Sequence, residues 1–177
     1  MSDLIIITGA PGAGKTTVAE TLKEELGWPL VAKDDIKDHF FEEIEYQGRD
    51  FNAKLGNVAR SLIVYFSNFL ADLDTNFIIE GNFAKDDFST VFNGLSEEYG
   101  LRLYQVFCTG EPETIKKRYD DRHSGGNRSS GHDPVITIED VQWFNQPLDI
   151  RGDLYTVKDL NFDAKIYVKD KGLKPKH

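Results

Sequence analysis

Residues 9–16 read Gly9-Ala10-Pro11-Gly12-Ala13-Gly14-Lys15-Thr16, a glycine-rich run closed by a lysine and a hydroxyl. The spacing G-x-x-x-x-G-K-[ST] is one by which a backbone can hold a polyphosphate. Glycines let the chain curl its N–H groups around phosphate oxygens with no Cβ in the way. A helix that starts where the run ends adds its unpaired N–H groups and the positive end of its dipole. Lys15 can reach β- and γ-phosphates, the Thr16 hydroxyl suits a magnesium ion, and Thr17 adjoins it. The bland alternative is a glycine turn between a strand and a helix. The setting favours phosphate, because a buried-type strand precedes the run and an amphipathic helix follows it. The expected nucleotide set is therefore Gly9, Ala10, Pro11, Gly12, Ala13, Gly14, Lys15, Thr16 and Thr17, with ATP and Mg2+ as cofactors.

Three further groups narrow the chemistry. Asp34-Asp35 follows a short apolar run, and a carboxylate there can orient an acceptor hydroxyl and take its proton during in-line transfer. Its plain alternative is a solvated helix N-cap. Arg118 and Arg122 are spaced i, i+4, and Arg128 follows in a loop. Such a set can neutralise charge spreading over a migrating phosphoryl group, or merely pair with Asp120, Asp121 or Asp133 on the surface. Glu80-Gly81-Asn82 ends an apolar run, where a carboxylate suits an outer-sphere magnesium contact. Strands of this kind normally end in aspartate, and a buried structural glutamate paired with a lysine is the competing expectation. Asp35, Lys37 and Asn82 are the acceptor-side candidates.

Other groups carry less. His39, His123 and His132 have no metal-ligand spacing with Cys108. Trp143 and Phe144 could stack an acceptor ring or sit in a core. Tyr46, Phe51 and Phe83 could line an apolar pocket with Asn82 as its polar anchor.

The elements that must position these residues alternate between strand and helix. Leu4 to Thr8 is a continuous apolar run of the kind buried on both faces of a parallel sheet. Thr16 to Leu26 carries Val18, Ala19, Leu22 and Leu26 at helical spacing and stops at Gly27. Leu30-Val31-Ala32 predicts a second strand, Lys33 through Phe41 a helix, and Asn52 to Ala71 a long, well-buried helix. Phe77 to Ile79 predicts a third strand, Asp86 to Tyr99 a helix, Leu101 to Cys108 an alternating fourth strand, and Glu111-Pro112-Glu113 a helix start. Ile138 to Phe144 suits a short helix and Ala164 to Val168 a last strand. The Ser/Gly/Asn/Arg-rich stretch 123–134 is long enough for a lid. The pattern predicts a single α/β domain over 1–168 with a parallel sheet, and a basic, frayed tail over 169–177.

Composition bounds the partners. The 177 residues are 40% hydrophobic and 29% charged, as in an ordinary folded domain, and the formal charge of −9 disfavours broad capture of a polyanion. A nucleic acid is therefore expected as a partner only at a strand end. One cysteine excludes an intrachain disulfide, and no stretch reaches membrane-spanning length, so a reducing, cytoplasmic setting is expected.

Together the glycine-rich loop, Lys33-Asp34-Asp35-Ile36-Lys37 and the Arg118…Arg122…Arg128…Gly131-His132 region resemble the small P-loop kinases. Within them the chain looks like the branch of AAA-type, ATPase-like kinases that includes chloramphenicol phosphotransferase, polynucleotide 5′-hydroxyl kinase and zeta-toxin-like kinases. The resemblance implies a three-layer fold with strand order 2-3-1-4-5, magnesium-dependent transfer and a base at Asp34. It also implies an arginine-bearing lid. Two departures stand out. Lys37 occupies the place where that branch usually has an arginine, and only Gly131-His132 remains of its usual His-Pro-Gly-His. The function expected is transfer of the γ-phosphoryl group of ATP to a hydroxyl of a small-molecule acceptor. The alternatives are a nucleotide-dependent regulatory ATPase that binds a protein partner, and a polynucleotide 5′-hydroxyl kinase.

Overall fold

The structure, a computed structural model, describes residues 2–44, 48–124 and 135–176. Among these the chain runs β1 (Asp3–Gly9), α1 (Lys15–Leu26), β2 (Leu30–Ala32), α2 (Lys33–Glu43), α3 (Arg49–Asp72) and β3 (Phe77–Glu80). It continues through α4 (Lys85–Tyr99), β4 (Arg102–Thr109), α5 (Pro112–Ser124), α6 (Ile138–Phe144), β5 (Asp153–Lys158) and α7 (Ala164–Lys171). The five strands form one sheet in the order β2-β3-β1-β4-β5, with every neighbouring pair parallel. That is the order the family resemblance implied.

Alternation of side chains along each strand explains the two cores. Ile5 and Ile7 of β1 face Val18 and Leu22 of α1, Ile115 of α5 and Val141 of α6. Leu4 and Ile6 point to the other face, against Ile63 of α3 and Phe92 and Leu95 of α4. Helices thus cover both sides, which is why β1 reads as an unbroken apolar run with all seven residues buried. For the same reason β4 is buried from Leu103 through Cys108 rather than alternating as its sequence predicted. Register brings the strand ends together: Ile7 of β1 and Ala32 of β2 both lie beside Glu80 of β3. The segments that follow these strands therefore start from one edge of the sheet.

Three expectations are corrected. Ala164 to Val168 is helix, not strand. The Asp163 side chain caps its start by accepting from the Ile166 N–H, and Gly172 ends it at φ 62°. The fifth strand is Asp153–Lys158 instead, a mostly exposed edge strand. The tail is docked rather than frayed: Trp28 Nε1 donates to the Lys174 carbonyl at 3.1 Å, Lys176 N–H to Leu26 O at 2.7 Å, and Leu173 is buried. Finally, α3 is not buried all round. Leu55, Ala59 and Ile63 face the sheet, while Val58, Tyr65, Phe66 and Phe69 are exposed.

Candidate active site

β1 delivers the chain to the glycine-rich loop at Gly9, and the loop closes on itself where the Ala13 N–H donates to Ala10 O at 3.1 Å. Gly12 and Gly14 hold φ 88° and 90°, backbone that L side chains rarely adopt. Gly14 is also the residue before α1. No side chain caps that helix and its first turn carries no acidic residue. Its N-terminal N–H groups and dipole are therefore left for an anion.

Lys15 is the loop's charge. Its Nζ donates to Ala10 O at 3.0 Å and lies 3.9 Å from the Glu80 carboxylate, with both side chains buried. Burial lowers the Lys15 pKa, opposed by the carboxylates of Glu80 and Asp34. Burial likewise pushes the Glu80 carboxyl up to about 7, against the pull of the Lys15 ammonium. The buried glutamate–lysine pair that the sequence left as an alternative for Glu80 is therefore present.

Helix α2 begins at Lys33 with Ala32 as its N-cap, so Asp34 and Asp35 both sit in the first turn and neither is the cap. Consecutive helical residues point about 100° apart, and this separates the two carboxylates. Asp34 lines the cavity above the glycine-rich loop and pairs with Lys33 Nζ at 3.2 Å. Asp35 lines a different groove with Leu30, His39 and Glu42, where burial and then the charges of Glu20, Asp38 and Asp34 raise its pKa. It does not line the cavity above the glycine-rich loop.

One cavity gathers Pro11, Gly12, Gly14, Lys15 and Thr16 of the loop with Asp34, Lys37, Glu80, Asn82 and Arg122. Lys37 is buried and donates to Asn52 Oδ1 at 2.5 Å. Asn82 Oδ1 is buried with no hydrogen-bond partner among the described residues. Thr17 is exposed and does not line the cavity. Arg118 does not line it either; its guanidinium lies 3.4 Å from Asp159 Oδ1. Arg128 and His132, like Tyr46, lie outside the described residues. Phe83 is core, tilted against Phe88 and edge-on to Phe92 with ring centroids at 5.0 and 5.2 Å, and it does not line the cavity above the loop.

Sequence reasoning missed Lys33 and Asn52. Lys33 is buried against the site, although a lysine at a helix start reads as solvated. Asn52 comes from the first turns of α3, fifteen positions from its partner Lys37. No local pattern announces either residue.

The donor set in the cavity suits magnesium. Thr16, Asp34 and Glu80 offer only hard oxygen atoms. Among the described residues no cluster of three or more His, Cys, Asp or Glu could hold a metal by itself. No helix of the described residues is long and apolar enough to cross a membrane.

Comparison with known proteins follows the same lines. A family model described as an AAA domain matches residues 4–137. Among curated proteins none matches the chain. Among solved structures, a candidate kinase of Chloroflexus aurantiacus J-10-fl is 23% identical with a TM-score of 0.85, covering 99% of both chains. A sugar kinase from Janibacter sp. HTCC2649 is 15% identical with a TM-score of 0.60, over 97% of this chain and 92% of its own. The APS kinase CysC of Mycobacterium tuberculosis, solved with AMPPNP and APS, is 13% identical with a TM-score of 0.59, over 96% of this chain and 95% of its own. These likenesses establish a shared fold.

Proposed function

The chain belongs to the AAA domain family, and from that premise we propose that it is an ATP-dependent phosphotransferase acting on a hydroxyl of a small-molecule acceptor. One observation carries the reading: the Asp34 carboxylate lines the same cavity as the Lys15 ammonium and Thr16 hydroxyl of the phosphate loop. A Ras-type switch positions its attacking water with a glutamine, whereas a kinase uses a carboxylate to accept the acceptor's hydroxyl proton.

In this reading the loop N–H groups and the α1 N-terminus bind the phosphates, and Lys15 turns from Ala10 and Glu80 toward the β- and γ-oxygens. Thr16 and Glu80 are the residues that would hold magnesium, which would supply charge neutralisation at the phosphate oxygens. Asp34 accepts the acceptor's hydroxyl proton as that oxygen bonds to the γ-phosphorus and the bond to the ADP oxygen breaks. Lys33 holds the Asp34 carboxylate through their 3.2 Å ion pair. Arg122, together with Arg128 from the segment that follows α5, stabilises the migrating phosphoryl group. Arg118, which contacts Asp159 and does not line the cavity, would have to leave that carboxylate to join them.

The test is a panel of antibiotics, nucleosides, sugars and 5′-hydroxyl oligonucleotides, scored by ADP release above the acceptor-free rate and by phosphorylated product. Asp34→Asn should retain ATP affinity while losing transfer by about 10²–10⁴-fold. Undiminished transfer by that variant would remove Asp34 from the base role. Failure of every acceptor, with vigorous hydrolysis stimulated by a protein, would favour the regulatory ATPase instead. Salt-sensitive phosphorylation of oligonucleotide ends alone would move the assignment to polynucleotide 5′-hydroxyl kinase.

A further inference from the structure

A second cavity of about 380 Å3 opens between α3, α4 and α6, and Phe144 lines both it and the phosphate cavity. Most of its wall is apolar: Phe88 and Val91 from α4, and Trp143 with Phe144 from α6. Trp143 is 58% exposed, so its indole face is open to a ligand in the cavity. The polar wall is Asn57, Arg60 and Ser61 of α3 with Asp87 of α4. The Arg60 guanidinium donates to Asn57 Oδ1. A guanidinium carries five donors in a planar fork, so this contact leaves most of them for another group. Burial lowers the Arg60 pKa and the Asp87 carboxylate opposes that shift, as fits a cation set partly into an apolar wall.

The geometry points to this cavity as the subsite for the acceptor's distal half, an aromatic ring bearing a carboxylate or carbonyl that Arg60 binds. The inference rests on the phosphotransferase reading for the other half of the molecule, whose hydroxyl must lie near Asp34. Three features select the class. The shared Phe144 wall sets the cavity directly beside the reacting one. The indole and phenyl side chains offer flat apolar faces, against which a polyol would leave hydroxyls unpaired beside Phe88 and Val91. Arg60 supplies a fork matched to a planar oxygen pair. Trp143 and Arg60 would then set acceptor specificity without touching the transferring phosphoryl group.

The probe is para-hydroxymethylbenzoate, with its ring-saturated analogue and with benzyl alcohol as controls. Transfer to the probe should exceed transfer to either control. Trp143→Ala and Arg60→Ala should raise the probe's KM about tenfold or more, leaving the KM for ATP unchanged. Trp143→Phe and Arg60→Lys should restore part of it. Equal KM values in the variants, or preference for polyols, would overturn the subsite while leaving the kinase reading intact. If nothing is phosphorylated, binding still decides. The probe should saturably quench the part of the emission that Trp143→Phe removes, and Arg60→Ala should abolish that quenching. Absence of quenching would overturn the inference independently of catalysis.

Discussion

Lys15 Nζ lies 3.9 Å from the Glu80 carboxylate, and both groups are buried at the floor of the cavity where α1, α2 and β3 converge. The pair joins the lysine of the glycine-rich loop to the end of a core strand. It also places a carboxylate where burial and a cation act on it in opposite directions.

That placement makes the stability of the nucleotide-free protein depend on pH. The folded protein raises the Glu80 pKa from 4.5 to about 7, so it binds the proton more tightly than the unfolded chain. The stabilising contribution is complete below pH 4.5 and is lost as pH rises through about 7. Urea denaturation across this window should show that decline in the wild type. Glu80→Gln, which stays neutral, should remove it. An unchanged slope in the variant would show that Glu80 is not the titrating group.

The loop glycines should differ in what their replacement costs. A Cβ at Gly9 would meet the carbonyl oxygen of Cys108 at 2.1 Å, in the neighbouring strand, where neither backbone can yield. A Cβ at Gly14 would meet Cδ2 of Leu160, a partly exposed side chain that can swing aside, leaving the strain of φ 90°. Gly14→Ala is expected to fold with a loss of about 1–3 kcal/mol and to bind ATP weakly. Gly9→Ala should be the more destabilised of the two in thermal melts, and the reverse order would contradict the packing.

Removing residues 174–177 should destabilise the fold by about 1–3 kcal/mol, because two buried-side hydrogen bonds are lost together. One is Trp28 Nε1 to Lys174 O and the other Lys176 N–H to Leu26 O. Trp28 is 3% exposed in the intact chain, so its emission should shift to the red on truncation. Calorimetry and fluorescence of the truncated protein measure both effects.

Cys108 gives a direct probe of opening. It is fully buried on β4, and burial pushes its thiol up to about 12. Thiolate is the reactive form, so the folded protein should resist alkylating reagents at neutral pH. The labelling rate should rise in step with the unfolded fraction in denaturant. Rapid labelling of the native protein would show that β4 opens locally.

Much of the fold was legible because its signals are local. The apolar run at Leu4–Thr8 and the helical spacing of Val18, Ala19, Leu22 and Leu26 both depend on near neighbours. So does the stop at Gly27. The misread last strand failed for a related reason: five residues, Ala164-Lys165-Ile166-Tyr167-Val168, are too few to distinguish strand from helix by periodicity. Its local signal was Asp163 before the run and Gly172 after it, a start and a stop for a helix. The true β5 was missed because an edge strand with one buried residue, Val157, carries little apolar pattern.

By itself, then, the sequence determined that a strand, a glycine-rich turn and a helix would build a phosphate loop around Lys15, since those conformations are set within a few residues. Only the tertiary structure decided which charges join it. It separated Asp34 from its neighbour Asp35, set Arg118 against Asp159, and brought Lys33, Asn52 and Glu80 together from three elements. It also decided that Trp143 faces a cavity rather than a core. The reason is geometric: a side chain's direction follows from its own helix or strand, but what it meets depends on the sheet order and on which helix covers each face.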